Sequence, residues 1–354
     1  METRLAGAAG AGIASPLIRT GPAGWSYPDS RGHVYPADVP SKFDALAFLA
    51  GYFDTIEVNA TFYRPQPRKT YASWARRVAP NASFRFAVKL WQRFTHERTG
   101  PWTADDVRMV TEGLETLAEA GRLGALLAQF PWSFKPGEEA RSWLRALAGA
   151  FAGWPVVVEV RHGDWAKPEH LAFLRDLGVG FANIDQPVIG RSLEPSTEAT
   201  SAVGYVRFHG RNYEHWFGEN ETSAQRYDYL YSAEELTPWV ERIRALQAAP
   251  GVADVYVVTN NHFEGKGPAN ALMIRAMLDG RSVRAPATLY ETYPAQLAPF
   301  ASADAQTHGR TDAQTHGRTD AQTHGRTDAQ ADTRTRGRAD APAHRRADPR
   351  LGDL

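Results

Sequence analysis

The chain has no cysteine among its 354 residues, which excludes disulfides, thiolate nucleophiles, thiolate zinc sites and iron–sulfur clusters together. It also has no excess of charge. Lys and Arg number 40 and Asp and Glu number 40, so no overall field draws it to nucleic acid or to an anionic membrane surface. No apolar run approaches the roughly 18 residues that a membrane span needs. Residues 1–17 are rich in Ala and Gly and carry Glu2 in the would-be basic region, so they do not follow the three-part pattern of a secretory leader. A cytoplasmic protein without a membrane partner is expected. The sequence also lacks a G-x-S-x-G elbow, a P-loop, a G-x-G-x-x-G after a strand and an H-E-x-x-H helix, which removes several familiar chemistries.

What the chain does contain is a series of short apolar segments that finish on polar side chains. The candidate strands are Ile18–Trp25, Thr55–Asn59, Phe84–Lys89, Gly124–Gln129, Val156–Arg161, Gly180–Asp185, Val203–His209 and Asp254–Asn260. Helical patterns fall between most of them: Lys42–Ala50 after Ser41, Lys69–Arg77, Ala104–Ala120 after Thr103, Gly137–Ala150, Glu169–Leu177, Ala233–Gln247 after Ser232, and Ala269–Leu278. Ser232 with Glu235, and Thr103 with Asp106, have capping-box spacing. Residues 186–202 show no helical pattern, so the sixth crossover is expected to be degenerate. Eight strands alternating with helices predict an α/β fold, a parallel eight-stranded (β/α)8 TIM-type barrel over residues 18–300.

Composition changes near residue 300. Aromatic residues stop after Phe300, and the unit Thr-Asp-Ala-Gln-Thr-His-Gly-Arg recurs, bringing His308, His316 and His324. Such a segment buries too little apolar surface to offset its ordering entropy, so residues 301–354 are expected to form a disordered repeat tail behind a flexible segment 1–17.

In a (β/α)8 barrel the strand C-termini converge on the mouth that holds the site. Strand residues alternate in facing. Glu57 shares a face with Asn59, Glu159 with Arg161, Asn183 with Asp185 and Arg207 with His209, while Val58, Val160, Ile184 and Phe208 take the other. The polar set is assigned to the lumen. The catalytic candidates are Glu57, Lys89, Glu159, Asp185 and His209, with Glu57 or Glu159 as base, His209 as acid or proton shuttle, and Lys89 as electrostatic stabiliser or Schiff-base nucleophile. The substrate-binding candidates are Asn59, Tyr63, His96, Gln129, Arg161, Trp165, Arg207, Asn260 and Asn261, with Arg161 and Arg207 as a bidentate anion clamp. Trp25, Trp91, Trp132, Trp165 and Trp216 follow strand ends and could form a stacking rim.

The motifs Gly24-Trp25-Ser26-Tyr27, Tyr35-Pro36, Glu57-Val58-Asn59-Ala60-Thr61-Phe62-Tyr63, Gln129-Phe130-Pro131, Glu159-Val160-Arg161-His162, Arg207-Phe208-His209-Gly210-Arg211 and Asn260-Asn261 stand in order over roughly residues 18–280. Together with Lys89, Thr95-His96, Trp165 and Asn270-Ala271, they resemble the YecE-like family, domain of unknown function 72. The resemblance implies a (β/α)8 barrel and no particular reaction. Pro22 and Ser30 depart from the family's pattern in the first loop.

The first reading of the residues is an enzyme acting on a small, polar, anionic metabolite, with no cofactor required. A second is a divalent-metal site of Glu57, Glu159, Asp185 and His209. A third is a non-catalytic protein that binds a ligand or nucleic acid through the tryptophan rim, against which the zero net charge argues. The stretch Gly265-Lys266-Gly267 is either a phosphate-holding helix start or a plain loop.

Overall fold

A computed structural model describes residues 17–214 and 226–305. Eight strands, β1 (Leu17–Pro22), β2 (Thr55–Val58), β3 (Arg85–Lys89), β4 (Leu123–Gln129), β5 (Val156–Glu159), β6 (Gly180–Asp185), β7 (Val203–Phe208) and β8 (Asp254–Thr259), form one parallel sheet. Its order is β1-β8-β7-β6-β5-β4-β3-β2. Strands β2 and β6 are buried at every position, as expected for a sheet covered on both faces.

The ring closes between β1 and β2 without a ladder. A single parallel bridge joins Ala23 to Glu57, and the Gly24 N–H donates to the Glu57 carbonyl at 2.8 Å. Gly21 makes the approach possible, because a Cβ there would lie 1.8 Å from the Thr55 carbonyl oxygen. The (β/α)8 TIM-type barrel predicted from the segment pattern is therefore the observed fold.

The outer layer comprises α1 (Ala45–Ala50), α3 (Arg68–Arg77), α4 (Ala104–Glu119), α5 (Glu138–Ala150), α6 (Pro168–Asp176), α7 (Ala233–Ala248) and α8 (Lys266–Asp279), while the single turn α2 (Ala60–Tyr63) follows β2 at the C-terminal end of the barrel. Both capping boxes form: Thr103 with Asp106 at α4 and Ser232 with Glu235 at α7. At α1 the cap differs from expectation. Asp44, not Ser41, accepts from the Ala47 N–H, and Arg77 from α3 forks onto the same carboxylate. Helix α8 begins at Lys266, three residues earlier than its apolar pattern suggests.

That early start makes Gly265-Lys266-Gly267 the opening of the helix and not a plain loop, with Gly265 as its left-handed N-cap. Gly267 lies inside the first turn, where a Cβ would crowd the Thr259 and Asn261 carbonyls at 3.2 and 3.3 Å. The Lys266 ammonium pairs with Asp228 and with Glu264. Between β6 and β7 no helix forms, as expected. Asn183 holds this crossover instead, its side-chain oxygen accepting from the Ser196 hydroxyl and the Glu198 N–H.

After α8 the chain adds β9 (Val283–Ala285), α9 (Ala287–Thr292), α10 (Pro294–Leu297) and β10 (Ala301–Ala303). Strand β10 pairs in parallel with β9, so the folded chain continues a few residues past the expected limit at 300. The repeat histidines His308, His316 and His324, and Trp216 of the expected rim, lie outside the described residues.

Candidate functional site

Register decides which side chains enter the lumen, since paired residues of parallel strands share a face. The ladders match Glu57 to Ala87, Lys89 to Leu127, Gln129 to Glu159, and Arg207 to both Ile184 and Val258. Glu57, Lys89, Gln129, Glu159 and Arg207 therefore face inward. Continuing the alternation past the strand ends brings Asn59, Arg161, His209 and Asn260 to the same mouth.

Strand β6 reverses the expectation. Ile184 pairs with Arg207 and faces the lumen, so Asp185, which pairs with Phe208, faces the helices. There its carboxylate accepts from Tyr231 Oη at 2.7 Å, Trp239 Nε1 at 2.6 Å and the Arg211 guanidinium at 2.8 and 2.6 Å. Asp185 is thus a saturated anchor behind the barrel wall, and it leaves the catalytic set. The error came from grouping polar residues together: on β6 the apolar Ala182 and Ile184 are the lumen residues.

At the floor of the mouth, Arg207 lies between two fully buried carboxylates. Its Nη2 and Nε donate to Glu57 at 2.7 and 3.0 Å, and its Nη1 donates to Glu159 at 3.1 Å. Tyr205 Oη adds a bond to Glu57 at 2.9 Å. Arg207 is occupied by protein carboxylates, which removes it from the expected anion clamp. Burial opposes the charge on this guanidinium, but Glu57 and Glu159 hold its pKa well above the ordinary value.

Glu159 receives two further contacts, Arg161 Nε and His209 Nε2 at 2.9 and 3.1 Å. Burial would raise its carboxyl pKa, yet Arg207, Arg161 and His209 hold it well below the usual carboxylate range. His209 is driven the other way. Burial and the nearby Arg161 lower its imidazole pKa to about 3, so it is neutral at physiological pH. Asn260 Nδ2 lies 3.2 Å from Nδ1. A neutral ring with a carboxylate at Nε2 carries its proton there and accepts from Asn260 at Nδ1. Neither Glu159 nor His209 is thereby poised for the base and acid roles expected of them, because one is stabilised as an anion and the other as a neutral donor.

Nearer the opening lie Lys89 on β3, Gln129 on β4 and Arg161 after β5, all buried. Lys89 Nζ lies 4.1 Å from the Phe62 ring centroid. Arg161 Nη1 donates to Gln186 at 2.9 Å. His96 meets the same Phe62 ring edge-on at 4.9 Å, and Tyr63 stands exposed beside it.

Two expected binding residues are structural. Trp165 is fully buried, stacked on Phe134, with its indole N–H donated to the Phe134 carbonyl at 2.7 Å. Asn261 points away from Asn260, donating to the Tyr229 carbonyl and to Asn270. The stacking rim is not formed as a set: Trp25 packs edge-on against Trp74 and Trp91 against Phe94, leaving Trp132 beside His162.

The expected metal quartet is not assembled either. Asp185 lies on the wrong side of the wall, and Arg207 fills the space between Glu57 and Glu159. Among the described residues no group of three or more His, Asp or Glu side chains could hold a metal ion.

The residue that sequence reasoning missed is Tyr27. Its phenol lies 3.4 Å from Asn59 Nδ2, and its ring stacks on His262 at 4.0 Å and an interplanar angle of 2°. Burial raises the phenol pKa, with Glu57 adding to the shift, so Tyr27 is a neutral hydroxyl at the mouth. The signal was the Gly24-Trp25-Ser26-Tyr27 motif, which marked the loop without singling out the tyrosine.

Comparison with known proteins covers this whole constellation. Residues 19–294 match the family described as "Protein of unknown function DUF72". The UPF0759 protein YunF of Bacillus subtilis (strain 168) is 28% identical over 278 residues, 74% of this chain and 95% of its own. A solved DUF72 family protein from Thermotoga maritima MSB8 is 32% identical, with a TM-score of 0.67 over 74% of this chain and 99% of that one. A second, from Enterococcus faecalis V583, shares the fold at 24% identity, with a TM-score of 0.64 over 74% of this chain and 96% of that one. The resemblance carried by the motifs is borne out, and the chain belongs to the DUF72 family.

Proposed function

We propose that the barrel mouth binds a small anionic metabolite in the cytoplasm and acts on it by proton transfer. One observation carries this reading. Ionisable side chains from β2, β3, β5 and β7 converge, buried, at the C-terminal end of the lumen. Among the described residues they comprise three cations, Lys89, Arg161 and Arg207, against two carboxylates, Glu57 and Glu159. A barrel interior is ordinarily filled with branched apolar side chains. Burying this many charges is costly, and an apolar replacement is often as stable, so stability alone gives little reason to keep them.

The floor and the opening take different parts in this reading. Glu57, Arg207 and Glu159 form a rigid base that fixes Arg161 and His209. Lys89 and Arg161 receive the anion as buried positive charges. Lys89 is the proton-exchanging group in this reading, with the neutral phenol of Tyr27 as a hydrogen-bond donor, while Asn59 and Gln129 orient the ligand.

Native mass spectrometry of gently purified protein tests the reading. The wild type is expected to retain a small anionic mass that Lys89→Ala and Arg161→Ala lose. Retention of the same mass by both variants would refute the assignment of these two residues.

A further inference from the structure

Gln129 on β4 and Asn59 just past β2 flank Lys89 on either side, and each keeps one amide oxygen without a partner among the described residues. Gln129 is 2% exposed and donates Nε2 to the Phe130 carbonyl at 3.1 Å, which leaves Oε1 buried with no hydrogen bond among the described residues. Asn59 directs Nδ2 toward Tyr27, and its Oδ1 is likewise buried and unmatched. Buried polar atoms in folded proteins almost always have a partner, and leaving one unmatched costs free energy that another group must offset. The nitrogen of each amide already faces a protein oxygen, so the oxygens are held as acceptors. Both sit on the inward face, Gln129 by its ladder with Glu159 and Asn59 by the alternation from Glu57.

We infer that the ligand is a polyhydroxylated anion, a carboxylate or phosphate ester whose hydroxyl groups donate to Gln129 Oε1 and Asn59 Oδ1. This rests on the anion reading and adds the class of molecule. An acceptor can be satisfied only by a donor, and hydroxyl suits better than ammonium because Lys89 and Arg161 repel a second cation. A site built to bond a ligand hydroxyl also rejects an analogue without it, since the protein acceptor is then left dry and unmatched.

Calorimetric titration with matched pairs tests the inference: D-gluconate against hexanoate, and glycerol 3-phosphate against propyl phosphate. In the pair whose anionic head the site accepts, the hydroxylated member is expected to bind the wild type about tenfold or more tightly. Gln129→Leu should narrow the gap within that pair, Asn59 Oδ1 keeping the remainder, and Lys89→Ala should weaken both members. The pair showing the preference tells carboxylate from phosphate. Equal binding within both pairs, or a preference that Gln129→Leu leaves intact, overturns the inference and leaves the anion reading standing. Binding of none of the four overturns both. The comparison within the wild type decides the question even if Gln129→Leu fails to fold.

Discussion

Arg207 shows how a single side chain can look like a ligand clamp and serve as its foundation. A guanidinium facing a barrel mouth suggests recognition of an anion, but this one already has Glu57 on one edge and Glu159 on the other. Removing one partner of a buried ionic group leaves uncompensated charge, so Arg207→Ala should destabilise the fold by about 3–5 kcal/mol in denaturant unfolding. A loss under 1 kcal/mol would mean that solvent reaches these carboxylates.

His209 makes a second prediction at this scale. Its folded pKa of about 3 lies below the ordinary 6.5, so between those values the unfolded chain binds the extra proton. Stability from His209 is therefore fully present above pH 6.5 and is lost as pH falls toward 3. Glu159, also depressed, adds the same sign of dependence at the acid end. His162 and His170 are lowered by burial as well, so the wild-type slope is shared. Its difference from His209→Gln isolates the one residue: the variant should lose less stability between pH 6.5 and 4.5, whereas identical slopes would contradict a buried neutral imidazole.

At the scale of elements, the seam between β1 and β2 is the weakest part of the ring because one bridge stands where a ladder would be. Gly21→Ala forces a methyl group against the Thr55 carbonyl. Overpacking of this kind should cost about 3 kcal/mol in thermal or denaturant unfolding; a neutral result would mean that the seam can open without loss. Strand β6 carries a different dependence. Asp185 ties β6 to α7 through Trp239, so Trp239→Phe should cost about 1–3 kcal/mol by leaving a carboxylate oxygen short of a donor.

The same strand explains what was legible in the sequence. Strand positions could be read because each is a short apolar run between turn signals, and α4 and α7 because their caps are written as Thr103-Asp106 and Ser232-Glu235. Facing could be read on β2, β5 and β7, where polar residues alternate with Val, Ile and Phe. It could not on β6, where Asn183 and Asp185 bond a helix-free crossover and α7, partners distant in sequence. Trp165 and Asn261 were misplaced for a related reason: a strand-end position fixes where a residue starts, while its side chain follows contacts with Phe134, Tyr229 and Asn270 that no local pattern encodes. Tyr27 was missed because its loop reaches the mouth only through the packing of His262 beneath its ring.

For the whole molecule, a chain of zero net charge concentrates buried cations at one end of its lumen. That local asymmetry, not any global field, should govern what binds, and its effect should outlast added salt better than a surface attraction would, since buried charges are poorly screened. The described residues include no helix long and apolar enough to cross a membrane. The family match reaches from β1 to the start of α10, so the mouth with its Glu57, Glu159 and Arg207 floor falls wholly within the shared domain.

The most direct test of the central claim is a thermal-shift comparison of small carboxylates and phosphate esters with their neutral alcohol counterparts, run on the wild type, Lys89→Ala and Arg161→Ala. The account predicts that at least one anion raises the wild-type melting temperature, that its neutral counterpart does not, and that either substitution abolishes the shift while the protein stays folded. Stabilisation by neutral compounds alone, or an anion shift that survives both substitutions, would contradict it.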